Sequence, residues 1–462
     1  MGDHMKETEL INSPLSIYIH IPFCMKKCRY CDFLSAPAGE KAQEEYVQAL
    51  LKEIEYWGSM LSKARIKSVY IGGGTPSVLR KELIKEVLCK LKEAFPDIMR
   101  MEKKAAQGNK SYNRELRIKE TERTEWDSTE PEISMEVNPG TVTEDKLKAY
   151  RQAGINRLSI GLQSADEEEL KLLGRIHTYE DFLETYHMAR VQGFSNLNID
   201  VISALPGQKL KSWQGTLEKV LALRPEHVSA YSLMIEEGTP FYETYFGHEE
   251  LLPDEETDRA MYALTKEMLQ KAGYERYEIS NYGRKGMECR HNMVYWQRGN
   301  YLGLGLGSSS MIENVRFQNT SRLKDYVNYW MAENIRKSNM ISIPKKIWTD
   351  CEEHPEKERK GFEIPDICKG IQHLSQKEQM EEFMFLGLRM IKGVSIKEFE
   401  AAFGKSIFDV YGRQIEKYRE QHVLTVTERI ALTDRGLDVS NLILADFLLS
   451  EIENDEKEEN AT

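Results

Sequence analysis

The chain has no apolar run of the ~18 residues that a membrane span needs, and its opening carries no charged-then-apolar leader. A basic surplus is also missing: 63 Lys and Arg stand against 75 Asp and Glu, a net charge of −12. Nucleic acids and anionic membranes are met with basic patches, so neither is an expected general partner, and membrane contact would be peripheral at most. Cysteine is scarce and odd in number, seven residues of which four are scattered. That count argues against a disulfide framework and for a reducing compartment, the cytoplasm. Two phosphate-binding signatures are absent too. The stretch Gly72-Gly73-Gly74-Thr75-Pro76 neither ends in Gly-Lys-Ser/Thr nor fits G-x-G-x-x-G.

What remains is a chain of 462 residues, 40% hydrophobic and 30% charged, too long for one ordinary core. A strand-then-helix rhythm runs from about residue 16 to 235. Apolar, β-branched stretches at 16–23, 68–73, 132–138, 157–163, 196–206 and 227–235 alternate with amphipathic segments at 41–61, 81–95, 144–153, 179–191 and 210–223. Continuous apolar runs between helices predict an α/β fold with parallel strands covered by helices. Periodicity alone allows a doubly wound sheet as well as an open (β/α)6 barrel.

Two polar stretches, 101–131 and 344–377, read as insertions. The second carries Cys351, His354, Cys368 and His373, an order compatible with zinc but read more plainly as a polar loop. The expected organisation is a short N-terminus (1–14), a core (15–240), an extension (241–343), the polar insertion, a C-terminal unit (378–452) and an acidic tail (453–462). Helical periodicity at 381–390, 396–403 and 410–420, a strand pair at 424–426 and 430–432 and a last helix at 436–449 give the C-terminal unit a winged-helix-like outline. The acidity favours packing or gating over DNA reading.

The densest chemistry lies at Cys24, Cys28 and Cys31, spaced C-x3-C-x2-C. Three thiolates with no fourth leave one iron of a four-iron cluster open to a small molecule. A structural zinc site wants four ligands, usually as two separated pairs. A knuckle completed by His20, or three unrelated thiols, is the plainer alternative.

The three cysteines, with Tyr30 before the last, resemble the signature of the radical S-adenosylmethionine (SAM) superfamily. The lead-in Tyr18-Ile19-His20-Ile21-Pro22-Phe23 is similar to its oxygen-independent coproporphyrinogen III oxidase branch. The resemblance implies a partial (β/α)6 barrel with a smaller C-terminal domain, a [4Fe-4S] cluster on Cys24, Cys28 and Cys31, and SAM on the open iron. It assigns Gly73, Gly74 and Thr75 to the amino end of SAM, Arg175 to a carboxylate, and Tyr18 to a further SAM contact. Glu136 and Gln163 stand at the ends of the third and fourth predicted strands and Asp200 on the fifth, facing the rim where barrel sites are built. Singly, each is ordinarily a satisfied polar group; together with Phe33 they complete the expected cofactor set.

Phe33 also discriminates, because oxidases of the branch carry a further cysteine at that position. The motif His291-Asn292-Met293-Val294-Tyr295-Trp296 matches the H-N-x-x-Y-W pattern of the branch's heme-chaperone members, and the small-residue stretch 303–308, read as flexible, follows it. This resemblance implies heme, with His291 as axial donor and Asn292, Tyr295 and Trp296 around it; Cys289 is an alternative donor. The expected activity is heme delivery to an acceptor protein, a respiratory one among the options, with oxidative decarboxylation of coproporphyrinogen as the alternative. A flavodoxin- or ferredoxin-like donor would supply electrons for any radical chemistry.

Overall fold

The structure, a computed structural model, describes residues 14–98, 130–332, 340–342 and 363–449. Most of the first polar stretch, the acidic tail, and Cys351 and His354 lie outside the described residues. Six strands follow the expected rhythm: β1 (Leu15–Ile21), β2 (Ile66–Gly73), β3 (Glu132–Val137), β4 (Arg157–Gln163), β5 (Leu197–Ser203) and β6 (His227–Ser232). Each is parallel to the next. Helices Glu40–Leu61, Lys81–Ala94, Glu144–Gln152, Tyr179–Val191 and Leu210–Leu223 are interleaved with them. This is the α/β arrangement that the resemblance implied.

The strands differ from the expected continuous apolar runs, because they alternate. Ile17, Val69, Ile133, Leu158, Ile199 and Val228 join the main apolar core. Their neighbours Ser16, Ser68, Glu132, Arg157, Asn198 and His227 are buried polar residues. Side chains of a strand point alternately to opposite faces, so the sheet has one apolar and one polar face. Buried polar groups must find partners, which makes the polar face the natural place for a site.

The sheet continues past both edges of these six strands. On one side β7 (Glu275–Arg276) and β8 (Asn281–Gly283) extend it, with β8 antiparallel to β6. On the other, β9 (Asn300–Leu304) lies parallel to β1, followed by β10 (Ser309–Ile312) and β11 (Val315–Gln318). Strand β9 corrects the reading of 303–308 as flexible. Gly305 sits at φ +95°, and a Cβ there would meet the His20 carbonyl at 2.7 Å and the Tyr46 hydroxyl. The small residues allow close packing. Glu53, buried in helix Glu40–Leu61, ties this corner down by accepting from Gly305 N–H (2.7 Å), Asn319 Nδ2 (2.6 Å) and the Tyr326 hydroxyl (2.5 Å).

Strands β12 (Met340–Ser342) and β13 (Glu363–Pro365) pair with each other, and β14 (Lys369–His373) adds to β11. The C-terminal residues have a separate apolar core that includes Phe399, Tyr411, Ile430 and Phe447. Helices Gln376–Gly387, Ile396–Phe403 and Ile407–Glu420 pack there with a three-stranded sheet of β15 (Val394–Ser395), β16 (Leu424–Val426) and β17 (Arg429–Leu432). The expected last helix is instead two, Asp434–Asp438 and Ser440–Ala445, interrupted at Val439. Arg298 and Arg316 both reach Glu382, at 3.1 and 2.7 Å, joining this unit to the large sheet. Among the described residues no helix is long and apolar enough to cross a membrane.

Burial, opposed by the donated hydrogen bonds, pushes the Glu53 carboxyl from 4.5 up to about 7. A raised carboxyl contributes most to stability below its unfolded pKa, and that contribution is lost as pH rises through the folded value. Glu53→Gln stays uncharged throughout. Its stability deficit against wild type is therefore expected to narrow by roughly 2–3 kcal/mol between pH 5 and pH 8 in urea unfolding. An equal deficit at the two pH values would refute this account.

Candidate functional site

The three cysteines lie in the loop between β1 and helix Glu40–Leu61, and backbone hydrogen bonds hold that loop. Gly74 N–H donates to the Ile21 carbonyl (2.8 Å), Thr75 N–H to that of Phe23 (2.7 Å) and Cys24 N–H to that of Ala36 (3.2 Å). Further along, Arg29 N–H donates to Leu173 O and Phe241 N–H to Arg29 O, each at 3.0 Å. The glycines after β2 are what permit this seat. A Cβ on Gly74 would come within 2.6 Å of the Phe23 oxygen and 3.0 Å of Cys24 Sγ, and one on Gly73 (φ +113°) within 2.6 Å of the His20 ring.

Two donors address the thiols: Thr75 Oγ1 faces Cys24 Sγ and Arg175 Nη1 faces Cys28 Sγ, both at 3.6 Å. Burial first, and then the neighbouring thiolates, push the Cys31 thiol up to about 11. A shared cationic centre offsets that repulsion, and soft thiolates suit iron–sulfur clusters. Among the described residues, no three His, Cys, Asp or Glu side chains converge tightly enough for a single metal ion. A four-iron cluster needs no such convergence, because its three thiolates bind separate irons. The donor set fits the cluster.

Above the loop and the polar ends of the strands opens a cavity of about 430 Å³. Its wall brings together Cys24, Cys28 and Cys31 with Phe33, Gly73, Gly74, Thr75, Glu136, Gln163, Arg175 and Asp200, which are spread over more than a third of the chain. Tyr18 is not part of that lining. Its hydroxyl pairs with His20 Nδ1 at 3.0 Å, and its ring neighbours Tyr70.

Glu136 accepts from the Tyr70 hydroxyl (2.9 Å) and from Gly73 N–H (3.1 Å), linking β3 to the glycine loop. Burial first, then Asp200, raise its carboxyl to about 7. Asp200 accepts from Ser159 Oγ (2.8 Å) and Asn198 Nδ2 (2.7 Å), and burial raises its pKa too. Arg175 donates through Nη2 to Asn138 Oδ1 and the Gly161 carbonyl, each at 2.8 Å, and its Nε has no hydrogen-bond partner among the described residues. Gln163 ends β4 with φ 71°, uncommon for a residue other than glycine and typical of strained functional positions. Tyr70, Asn138, Ser159 and Tyr231 also line the cavity and escaped the sequence reading. Tyr70, Ser159 and Tyr231 follow Ser68, Arg157 and Ser229 at the two-residue strand interval, a signal that was available.

The H-N-x-x-Y-W motif lies elsewhere. It forms helix Arg290–Trp296, whose His291 is 1% exposed. The His291 ring stacks on Tyr70 at 5.2 Å, and Nδ1 and Nε2 each pair at 2.9 Å, with Ser68 Oγ and the Tyr295 hydroxyl. Ser68 gives its own hydrogen to Ser16 Oγ, so Nδ1 donates to Ser68 and Nε2 accepts from Tyr295. No ring lone pair is left for an iron. Burial first, then Arg157, lowers the His291 pKa to about 3, which keeps the ring neutral.

Cys289 is equally enclosed. Its thiol faces Glu132 Oε1 at 3.6 Å, and burial pushes its pKa up to about 12. Glu132 also accepts from Arg290 N–H (3.2 Å) and His291 N–H (3.4 Å), placing a carboxylate at the start of this helix. Asn292, Tyr295 and Trp296 are half-buried, and Trp296 lies 4.7 Å beneath the Arg389 guanidinium. In this structure the motif forms part of the polar face, with both His291 ring nitrogens and the Cys289 thiol engaged by neighbouring side chains.

Residues 18–220 match the family model described as the radical SAM superfamily, and residues 374–439 match that of the HemN C-terminal domain. The chain is 30% identical over 444 residues to the heme chaperone HemW of Lactococcus lactis, covering 96% of this chain and 100% of that protein. It is 31% identical to heme chaperone HemW of Bacillus subtilis, covering 94% of this chain and 99% of the relative. Among solved structures it resembles coproporphyrinogen III oxidase (HemN) from Escherichia coli with a TM-score of 0.69 at 22% identity, over 94% of this chain and 90% of that one. That likeness concerns the fold.

The seat of the cysteine loop is open to a direct check. Gly74→Ala is expected to lower the iron retained after anaerobic reconstitution by roughly tenfold, since overpacking there displaces Cys24. Gly39→Ala, where an added Cβ meets nothing within 4 Å, should leave it unchanged. Equal iron content in the two variants would sink the close-packing argument.

Proposed function

Because the chain belongs to the HemW family of radical SAM proteins, we propose that it is a heme chaperone, binding heme and passing it to an acceptor protein. In this reading Cys24, Cys28 and Cys31 hold a [4Fe-4S] cluster whose fourth iron takes SAM. When bound, that pair supplies one-electron chemistry. The observation that carries the reading is the residue two positions after the third cysteine. The cavity wall has Phe33 where coproporphyrinogen oxidases carry a further thiol. No porphyrinogen turnover is required of such a protein.

The chain's own residues divide the work of binding SAM. Gly73, Gly74 and Thr75 let its amino end approach the backbone closely. The Arg175 guanidinium, whose Nε has no other partner among the described residues, serves the carboxylate. Glu136, Gln163 and Asp200 offer acceptors for the nucleoside, and Glu136 also holds the glycine loop through Gly73 N–H. The heme acceptor is a protein, a respiratory one among the options, met in the cytoplasm or at a membrane surface. A flavodoxin- or ferredoxin-like donor would supply electrons if radical chemistry takes place.

Anaerobic reconstitution followed by parallel incubation with heme or coproporphyrinogen III, each with SAM and reductant, tests the proposal. The expected outcome is stable heme binding, transfer of that heme to an apo-hemoprotein, and no accumulation of protoporphyrinogen. Multiple turnovers of coproporphyrinogen would overturn the chaperone reading in favour of the oxidase. Cys24→Ala, Cys28→Ala and Cys31→Ala should each lose the cluster's visible absorbance.

A further inference from the structure

The two side chains that donate to cysteine sulfurs are themselves held by a third. Asn138, on the cavity wall, stands between Thr75 and Arg175. Its Nδ2 donates to Thr75 Oγ1 and its Oδ1 accepts from Arg175 Nη2, each at 2.8 Å. Thr75 Oγ1 in turn faces Cys24 Sγ and Arg175 Nη1 faces Cys28 Sγ, both at 3.6 Å. The bonds form one chain, Cys24–Thr75–Asn138–Arg175–Cys28. Its direction is fixed by chemistry. A guanidinium can only donate, so the amide presents its oxygen to Arg175 and its nitrogen to Thr75. A hydroxyl has a single hydrogen, and with its oxygen accepting from Asn138, Thr75 turns that hydrogen to the sulfur. Asn138 is anchored in its turn: its N–H donates to Ser77 Oγ (3.2 Å), and its carbonyl accepts from Thr141 Oγ1 (2.7 Å) and Thr141 N–H (3.2 Å). Gly161 leaves the space, since a Cβ there would come within 2.7 Å of Asn138 Oδ1 and 3.2 Å of Arg175 Nη2.

We propose that Asn138 is a positioning residue for the cluster: by aiming the Thr75 hydroxyl and the Arg175 guanidinium at two of its thiolates, it raises the cluster's reduction potential. The proposal rests on the reading of Cys24, Cys28 and Cys31 as cluster ligands and is independent of whether heme or a porphyrinogen is handled. The step concerned is uptake of one electron from an external one-electron donor, with no bond made or broken. The added negative charge spreads onto the thiolate sulfurs. Hydrogen bonds donated to those sulfurs stabilise the reduced state, and their loss favours the oxidised one. The hold on Arg175 has a second consequence. Its Nη2 is fixed by Asn138 and by the Gly161 carbonyl (2.8 Å), while Nε keeps no partner among the described residues. The guanidinium is thus set in advance for a carboxylate on the cavity side.

Anaerobic redox titration of the reconstituted full-length chain without SAM tests this, followed by absorbance and electron paramagnetic resonance, with iron content measured for every variant. Asn138→Ala is expected to retain its iron and to need a more negative potential. Its reduced-to-oxidised ratio at a fixed potential should fall by roughly tenfold, equivalent to about 59 mV for one electron. Thr75→Val keeps the branched shape, removes the hydroxyl and should shift the potential in the same direction. Combining Asn138→Ala with Thr75→Val should shift it by less than the sum of the two, because part of the Asn138 effect passes through Thr75. If Asn138→Ala fails to hold the cluster, the isosteric Asn138→Asp decides. It keeps an acceptor for Arg175 but draws the Thr75 hydrogen away from Cys24, so its shift should shrink once Thr75 is replaced by Val. An unchanged potential, or shifts that add in full, would overturn the proposal while leaving the cluster reading intact. A wild-type chain that takes up no four-iron cluster would overturn both.

Discussion

The constraint on which the rest of this structure depends is the polar face of its parallel sheet. Parallel strands covered by helices are usually apolar on both faces. Here one side of the six main strands is largely polar, and each buried polar group must be hydrogen-bonded or bear a cost of several kcal/mol. Near the strand starts, the polar residues pair among themselves and with incoming elements: Ser16 with Ser68, Asn198 with His227, and Glu132 with the start of helix Arg290–Trp296. Near the strand ends the same face opens into the cavity, where Glu136, Gln163 and Asp200 are exposed to a ligand. One face thus carries a sealed layer and a working layer.

That division accounts for the helix bearing the H-N-x-x-Y-W residues. His291, between Ser68 and the Tyr295 hydroxyl, supports Tyr70 from below, and Tyr70 in turn lines the cavity and holds Glu136. At its far end Trp296 meets Arg389 of the C-terminal unit, and the neighbouring Arg298 reaches Glu382. The helix therefore lies physically between the cavity wall and the C-terminal core.

The cysteine loop depends on a second kind of constraint, backbone against backbone. Cluster-binding thiols need a loop that stays in place when its metal is absent, and here the loop is tied to β2 through Gly74 and Thr75, to Leu173 through Arg29, and to Phe241. The glycines after β2 thus have two uses that do not compete. They let the cysteine segment lie close, and they leave backbone groups accessible from the cavity side. Raised carboxyls at Glu136 and Asp200 show the cost of keeping acceptors in a dry site, to be offset by a ligand that donates to them.

The cysteine spacing, the glycine loop, the positions of Glu136 and Gln163 towards the ends of β3 and β4 and of Asp200 within β5, and the strand–helix rhythm were all legible in the sequence. Each is a local pattern whose meaning is carried by adjacent residues. The winged-helix-like order of helices and strand pair was legible for the same reason, apart from the break at Val439. Other features were decided by tertiary structure alone. The strand β9 joins β1 although nearly three hundred residues separate them, and its glycines look like a flexible stretch until Tyr46 and His20 are placed against them. Whether a histidine is a ligand or a buried prop depends on which end of the polar face it meets. His291 was assigned by motif, and its two ring nitrogens were allotted by Ser68 and Tyr295. Burial and hydrogen-bond saturation are properties of long-range packing, which no short stretch of sequence contains.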